Sequence, residues 1–389
     1  MAQTGGTYSE GGVRGAVQAV MSRTKRLKRG VKSRLHLFTE PRILPFRAHG
    51  TPGRVFLSGR VLERTGLVEP DATPGGVWRA LGRSFRRFES DEIPGAHLEL
   101  RLGAQVARTE TDEEGYFHIE LAPREPLPPG WHDYEVRLLS SIAGGAGVVG
   151  HGQVLVPSED AEFGIISDLD DTVVATRANH RLERTRIVLL NDAHERTPFP
   201  GVGAFYRALS RGPDGRGTNP LFYLSRSPWN LYDLFDRFLD LHGLPRGPLF
   251  LEDASLVEPP SRALGGRQPK AERIRGLLEL YPRLPFVLVG DSGQQDPEVY
   301  RDVVRDFPGR VRAVYIRDVT SRRRDHEVHR IAREVRSLGV PMVLAVDTCV
   351  AAAHAAGAGL LAAEALQEVR AESEAGTAHL QQARDRVKH

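Results

Sequence analysis

Asp168 and Asp170, two carboxylates two positions apart, follow directly on an apolar run, Phe163-Gly164-Ile165-Ile166. Charge at the end of a buried strand is costly unless a cation or a reaction makes use of it. In open α/β sheets, ligands bind beyond the carboxyl ends of the strands. The run Asp168-Leu169-Asp170-Asp171-Thr172 is therefore read as one wall of a metal-assisted or carboxylate-driven site. A calcium loop of the EF-hand kind needs Gly at its sixth position and Glu at its twelfth; counted from Asp168 these are Val173 and Asn179, which excludes it. The plain alternative is a solvated turn, in which Asp is common.

Three later segments supply further groups. Leu221-Phe222-Tyr223-Leu224 ends in Ser225 and continues Arg226-Ser227-Pro228-Trp229-Asn230. Lys270 opens a helix-like stretch reaching about Tyr281, and Phe286-Val287-Leu288-Val289-Gly290 ends in Asp291, with Asp296 five residues on. Helical patterns at Leu231 to Leu241 and Ala271 to Leu280 separate the apolar runs, and alternation of strand and helix implies a parallel sheet. Its carboxyl edge must gather the three strand-end groups and the lysine into one crevice.

DxDxT, a strand-terminal Ser, a Lys and GDxxxxD, in that order, resemble the haloacid dehalogenase (HAD) superfamily of phosphotransferases. A closer likeness is to the actin-patch-associated phosphatidate phosphatase family and its bacterial relatives. It is carried by Ser167-Asp168-Leu169-Asp170-Asp171-Thr172, Thr197-Pro198-Phe199-Pro200-Gly201-Val202, Ser227-Pro228-Trp229-Asn230-Leu231-Tyr232, Gly290-Asp291-Ser292-Gly293 and Asp296-Pro297-Glu298-Val299-Tyr300. It covers roughly residues 160 to 360. The fold it implies is α/β, a HAD-like Rossmannoid parallel sheet. The resemblance implies that Asp168 is a nucleophile forming an aspartyl-phosphate and that Asp170 is the general acid and base. It implies Mg2+ held by the Asp168 carboxylate, the Asp170 carbonyl and Asp291, with Asp296 on the metal or its waters. Ser225 would bond a phosphate oxygen, and Lys270 would pair with the phosphate and Asp168. The implied reaction is hydrolysis of a lipid phosphomonoester, phosphatidate to diacylglycerol. Only 56 residues lie between Asp168 and Ser225, room for a small cap over the site.

Each of these residues has a structural alternative. Ser225 could be an ordinary strand-end hydroxyl, and Lys270 a solvated first-turn lysine; Arg267, Arg273 and Arg275 compete with it for the same role. A cation at a helix N-terminus is mildly unfavourable, which argues for a functional reason at Lys270. Asp296, before Pro297-Glu298, could cap a helix. Trp229 reads as core rather than substrate contact, with Arg226 and Asn230 as candidate pocket residues. Thr172 would brace the first loop. His180 and His194 have no partner at metal-ligand spacing and read as structural or surface residues.

The remainder of the 389 residues, with 40% apolar content and a net charge of +3, is read as follows. Residues 1–50 form a polar, basic arm, partly disordered, in which Arg23, Lys25, Arg26, Lys28, Arg29, Lys32 and Arg34 interleave with Val17, Val20, Met21 and Leu27. Such an arm suits an anionic membrane surface; a solvated arm or a nonspecific nucleic-acid contact is the alternative. No apolar stretch follows the charges as a signal peptide requires. Residues 51–158 carry short alternating strands at 54–62, 97–102, 116–121, 134–139 and 152–156, with a turn at Asp112-Glu113-Glu114-Gly115, and read as a small β-sandwich. Its Asp-x-x-Gly-x-Phe signature is similar to transthyretin-like accessory domains. Residues 159–360 are the phosphatase-like domain, with Ala313 to Ile316 and Met342 to Val346 as last strands, and 361–389 a helical tail. Cys349 stands alone, so no intrachain disulfide forms, which fits a reducing cytoplasm. No specific nucleic acid is expected as a partner. Two other functions stay open: a HAD phosphatase on a soluble or macromolecular phosphoester, and a non-catalytic adaptor that binds phosphate at a membrane surface.

Overall fold

The computed structural model describes residues 40–63, 92–170, 198–252, 270–319 and 322–387. The basic cluster from Arg23 to Arg34, together with Asp171, Thr172, His180, His194 and Arg267, lies outside the described residues. Among the described residues no helix is long and apolar enough to cross a membrane.

The first part of the chain is a mixed sheet of eight strands: β1 (Pro41–Pro45), β2 (Ala48–Thr51), β3 (Arg54–Glu63), β4 (His97–Leu102), β5 (Gln105–Glu110), β6 (Tyr116–Leu121), β7 (Gly130–Ser140) and β8 (Val149–Val156). Hydrogen bonds order them β1-β3-β2-β8-β7-β4-β5, with β6 on the other side of β3. The strands expected as a sandwich thus belong to one continuous sheet. Its two ends come together where β5 lies beside β6 and Gln105 donates to the Ala122 carbonyl at 3.1 Å. Alternation does the sorting: Tyr134, Val136 and Leu138 face inward from β7, meeting Val55, Leu57, Val61, Leu98 and Leu100. The turn before β6 is tied by Asp112, whose Oδ1 accepts from the Glu114 and Tyr116 amides at 2.9 Å each. Gly115 closes it at φ 79°, a left-handed backbone that suits glycine. The sheet begins at Pro41, so β1 and all but the last residue of β2 fall within the stretch read from the sequence as tail; Pro41 and Pro45 at the ends of β1 mask its strand character.

The second part is a six-stranded sheet, entirely parallel: β9 (Gly164–Asp168), β10 (Leu221–Pro228), β11 (Leu249–Glu252), β12 (Phe286–Asp291), β13 (Val311–Arg317) and β14 (Met342–Ala345), ordered β11-β10-β9-β12-β13-β14. Strands covered on both faces read as continuous apolar runs, and every residue of β9 and β12 is buried. Helices α1 (Val202–Arg211), α2 (Tyr232–Leu241), α3 (Lys270–Leu280), α4 (Asp296–Asp306), α5 (Arg322–Ser337), α6 (Thr348–Gly357) and α7 (Ala365–Val387) cover it. One face is sealed by Ile274, Leu277, Tyr300, Val303 and Ile331 of α3, α4 and α5. The other is sealed by Phe205, Leu209, Phe238, Ala352 and Val369 of α1, α2, α6 and α7. Successive strands step away from β9 in one direction and then, from β12, in the other. That reversal opens a crevice at the carboxyl ends of β9 and β12.

Helix α7 is fastened to α1. Arg207 pairs with Glu368 at 3.0 Å and with Glu372 at 2.5 Å, and Glu372 Oε1 accepts the Ala204 amide at 2.9 Å. The chain end of α1 has Gly201 at its N-cap and no side-chain cap of its own.

The two parts pack against each other through aromatic and charged contacts. Phe46 stacks on Trp229 at 4.3 Å and meets Tyr232 in a tilted contact at 4.4 Å. Buried Arg47 reaches Asp236 at 2.7 Å and Asp240 at 2.9 Å, and the Tyr281 hydroxyl donates to the Gly50 carbonyl at 3.1 Å.

Candidate active site

Asp168 is the last residue of β9 and Asp291 the last of β12, so the two central strands each deliver a fully buried carboxylate to the crevice. Asp296, first residue of α4, is fully buried as well. It folds over the position of Gly290: a Cβ there would lie 2.3 Å from Asp296 Oδ2. The glycine of the Gly-Asp pair is thus the space that Asp296 occupies. The N-cap of α4 is Gln295, without a side-chain cap bond. The Asp296 carboxylate instead accepts from the Asp291 amide at 3.2 Å and pairs with Lys270, so the capping reading of Asp296 gives way to a site contact.

Carboxylate oxygens of Asp168, Asp291 and Asp296 lie within 4.8 Å of one another. Lys270, at the start of α3, inserts among them, 2.7 Å from Asp168 Oδ1 and in contact with Asp296 Oδ1, and its ammonium lies 5.7 Å from the centre of the Tyr300 ring. Its competitors sit elsewhere: Arg275 pairs with Asp306 at 2.9 Å and Arg273 lies over Phe250 at 4.8 Å. Asp168 Oδ2 is buried with no hydrogen-bond partner. Three buried carboxylates against one ammonium, with an oxygen left over, make a donor set that a hard divalent cation fits.

Electrostatics agree. Burial holds the Asp168 carboxyl well above its ordinary range, Lys270 pulls it down, and Asp296, Asp170 and Asp291 push it up again. Burial also works against the Lys270 charge, but Asp168 and Asp296 outweigh it and the ammonium is pushed up to about 12. A bound cation would invert the balance at Asp168 and favour its ionised form.

Asp170 occupies a different setting. Its carboxylate lies outside the three-aspartate cluster and faces the end of β10. Oδ2 accepts from Ser225 Oγ at 2.7 Å and from the Arg226 amide at 3.1 Å, and Oδ1 from Ser227 Oγ at 3.3 Å. Ser225 Oγ in turn accepts the Ser227 amide at 2.9 Å. The strand-end serine thus orients the second aspartate. Trp229 stacks on Phe46 and serves the junction between the two parts, as its reading as core expected.

Several positioning residues escaped the sequence reading. Ser167 donates to the Asp168 carbonyl at 2.7 Å and receives the Tyr206 hydroxyl at 2.7 Å, fixing the first strand end from behind. Asp291 Oδ1 accepts the Gly293 and Gln294 amides at 2.6 and 3.0 Å. Arg324, from α5, holds the same loop through the Gln294 carbonyl at 2.9 Å and Glu298 at 2.6 Å. The run Arg322-Arg323-Arg324 gave no signal to tell which arginine turns inward.

Comparison with known proteins places these residues in a family context. The model for "Phosphatidate phosphatase APP1, catalytic domain" matches residues 163–318, a span that contains Asp168, Asp170, Ser225, Lys270, Asp291 and Asp296. Phosphatidate phosphatase APP1 of Saccharomyces cerevisiae is 31% identical over 156 residues, 40% of this chain and 26% of its own length. An uncharacterized protein of Schizosaccharomyces pombe is 25% identical over 218 residues, 54% of this chain and 34% of its own. The chain therefore spans only about a quarter to a third of the curated relatives it matches. A solved structure of a carbohydrate acetylesterase from Xanthomonas citri overlaps with a TM-score of 0.25 at 12% identity, over 77% of this chain and 75% of that one, too little to bear on the argument. The family match spans the strand ends that build the crevice, and residues 163–318 are similar to an APP1 catalytic domain.

Proposed function

We propose that this chain is a Mg2+-dependent phosphatase of HAD type, acting on a lipid phosphomonoester and converting phosphatidate to diacylglycerol and inorganic phosphate. The observation that carries the reading is the division between two aspartates two residues apart. Asp168 is buried among Lys270, Asp291 and Asp296, while Asp170 is half-buried and held by hydroxyl and amide donors. Divergent settings for paired carboxylates are what separate a nucleophile from an acid and base.

In the first step an Asp168 oxygen attacks phosphorus and the phosphorus–alkoxide bond breaks, leaving an acyl phosphate on Asp168. Protonated Asp170 gives its proton to the departing alkoxide. In the second step Asp170 takes a proton from water, the hydroxide adds to phosphorus, and inorganic phosphate leaves with the Asp168 carboxylate restored. Lys270 offsets charge where phosphate oxygens crowd Asp168. Ser225 and Ser227 orient Asp170, and Ser225 would bond a phosphate oxygen by turning its one O–H from Asp170 to the bound substrate. Mg2+, held by Asp168, Asp291 and Asp296 with the Asp170 carbonyl, would act as Lewis acid and template. The enzyme would work in the cytoplasm at the inner face of a membrane, with the basic segment before residue 40 as the contact to anionic lipid.

Phosphate release from phosphatidate in mixed micelles tests this, with and without Mg2+, in the wild type and Asp168→Asn, against soluble phosphomonoesters. Mg2+-dependent release, lost in the variant and well above the soluble esters, is the expected result. Release from soluble esters alone would discard the lipid substrate, and release from nothing would move the chain toward an adaptor.

A further inference from the structure

The junction between the two parts holds a second cluster of basic groups, separate from the aspartates. On the first sheet, His49 is paired with Phe56, Phe56 with Glu120 and Ser58 with His118. Residues paired across strands share a face, so His49, Phe56, Ser58, His118 and Glu120 all belong to one face. That face meets β11 and α3: His49 stacks on Phe56 at 5.2 Å and meets Phe250 edge-on at 5.0 Å. Arg273, one turn beyond Lys270 on α3, lays its guanidinium over the same Phe250 ring at 4.8 Å. His118 stacks on Tyr116 at 6.3 Å.

Among the described residues the charges there do not balance. Glu120, the acid on this face, is taken by Arg54. Arg60, further along, pairs with Glu92 at 3.3 Å. Among the described residues Arg273 has neither a carboxylate partner nor a hydrogen-bond acceptor, its one contact of note being Phe250. Burial pulls its guanidinium down to about 10. Burial first, and the Arg273 charge second, lower His49 to about 3 and His118 to about 4. At neutral pH the cluster holds one half-buried cation and two half-buried neutral imidazoles, each with an N–H to donate. A half-buried guanidinium can be reached from solvent, and its fork matches phosphate oxygens two at a time.

We propose that Arg273, His49 and His118 form a phosphate-binding site at the junction between the sheet of residues 41–156 and the APP1-like domain. Its donors come from three elements, β2, β6 and α3, and His49 and Arg273 share the Phe250 ring. The site takes inorganic phosphate or the phosphomonoester of a lipid headgroup by the same contacts, and it does not depend on the reaction proposed above.

The test is histidine-ring NMR on the full chain in EDTA, with His49→Gln and His118→Gln variants to assign the two rings. Inorganic phosphate is the first probe; vesicles of phosphatidylcholine with and without phosphatidate are the second. Phosphate is expected to move both rings and to raise their titration midpoints by about one to three pH units, with Arg273→Gln abolishing the response and Arg273→Lys keeping part of it. A response to phosphate and not to phosphatidate vesicles identifies a free-ion site; a response to both identifies a headgroup site. Rings that ignore both probes at millimolar concentration, or that respond equally in folded Arg273→Gln, overturn the proposal. Should Arg273→Gln fail to fold, the wild-type and Arg273→Lys titrations decide it: rings as responsive in the lysine variant as in the wild type also overturn it.

Discussion

Replacing Lys270 with methionine keeps most of the stem and removes the charge at the centre of the site. The lysine and its partners Asp168 and Asp296 have side-chain exposures of 4%, 0% and 0%, so solvent does little to screen them. A lysine raised in the folded state lends stability that is full below its ordinary value and is lost as pH rises through about 12. A shift of that size corresponds to about 2 kcal/mol. Methionine also strands two buried carboxylates, and breaking a buried pair typically costs about 3–5 kcal/mol. The variant should therefore lose about 3–5 kcal/mol in slightly alkaline, metal-free buffer. Asp168 has a dependence of the same sign, at lower pH. Its folded value is raised by burial, so the stability it lends is full at and below the ordinary carboxylate range and is lost as pH rises through the elevated value. Without Lys270 that value rises further. The loss on substitution must then shrink as pH falls and grow as it rises. Urea unfolding of wild type and Lys270→Met in EDTA, from about pH 5 to about pH 8.5, both above the ordinary carboxylate range and on either side of that of histidine, reads this directly. Equal losses at the two ends would refute the reasoning. Mg2+ at a hundredfold excess over its dissociation constant should return about 2.7 kcal/mol to the variant; identical curves in EDTA and Mg2+ would sink the cation assignment.

Three further substitutions follow from the same geometry. Gly290→Ala places a Cβ 2.3 Å from Asp296 Oδ2; calorimetry should show a loss of about 1–3 kcal/mol from overpacking, and Mg2+ titration a weaker affinity than wild type. Ser225→Ala removes the 2.7 Å donor to Asp170; kcat for phosphate release should fall at least tenfold while KM changes little, with the pH–rate profile displaced, because general acid–base catalysis is worth about 10²–10⁴. Arg47→Met removes the ties to Asp236 and Asp240 across the two parts; equilibrium unfolding should report a loss of about 2 kcal/mol, and unchanged stability would mean that the remaining contacts, Phe46 with Trp229 and Tyr232 and Tyr281 with Gly50, hold the junction without it.

The parts of the site that the sequence made legible are those that follow from one rule. Buried parallel strands read as unbroken apolar runs, so Ile165-Ile166 before Asp168 and Val287-Leu288-Val289 before Asp291 marked both strand ends and the carboxylates on them. Lys270 stood out because a lysine opening a helix is electrostatically out of place. What stayed hidden depends on contacts between distant segments. The bond of Ser225 to Asp170 needs the register of β9 against β10, Leu224 beside Asp168, before the serine can reach. Arg324 holds the Asp291 loop from a helix that begins 31 residues after Asp291, and nothing local distinguishes it from its neighbours. Strands β1 and β2 are five and four residues long, bracketed by prolines and a Gly-Thr-Pro-Gly turn, too short for a period to register.

The fastening of α7 to α1 has a consequence for how the protein is made. Translation delivers the chain from the N-terminus, and domains tend to fold as they emerge. Here the amide of Ala204 waits for Glu372, 168 positions later, and the hydrophobic cluster beneath α1 is closed only when Val369 arrives. Every one of the six site residues has left the ribosome long before. A message cut short between codons 300 and 365 would thus encode a polypeptide with a complete set of site side chains and an unsealed apolar face, a species for chaperones and proteases rather than a smaller working enzyme.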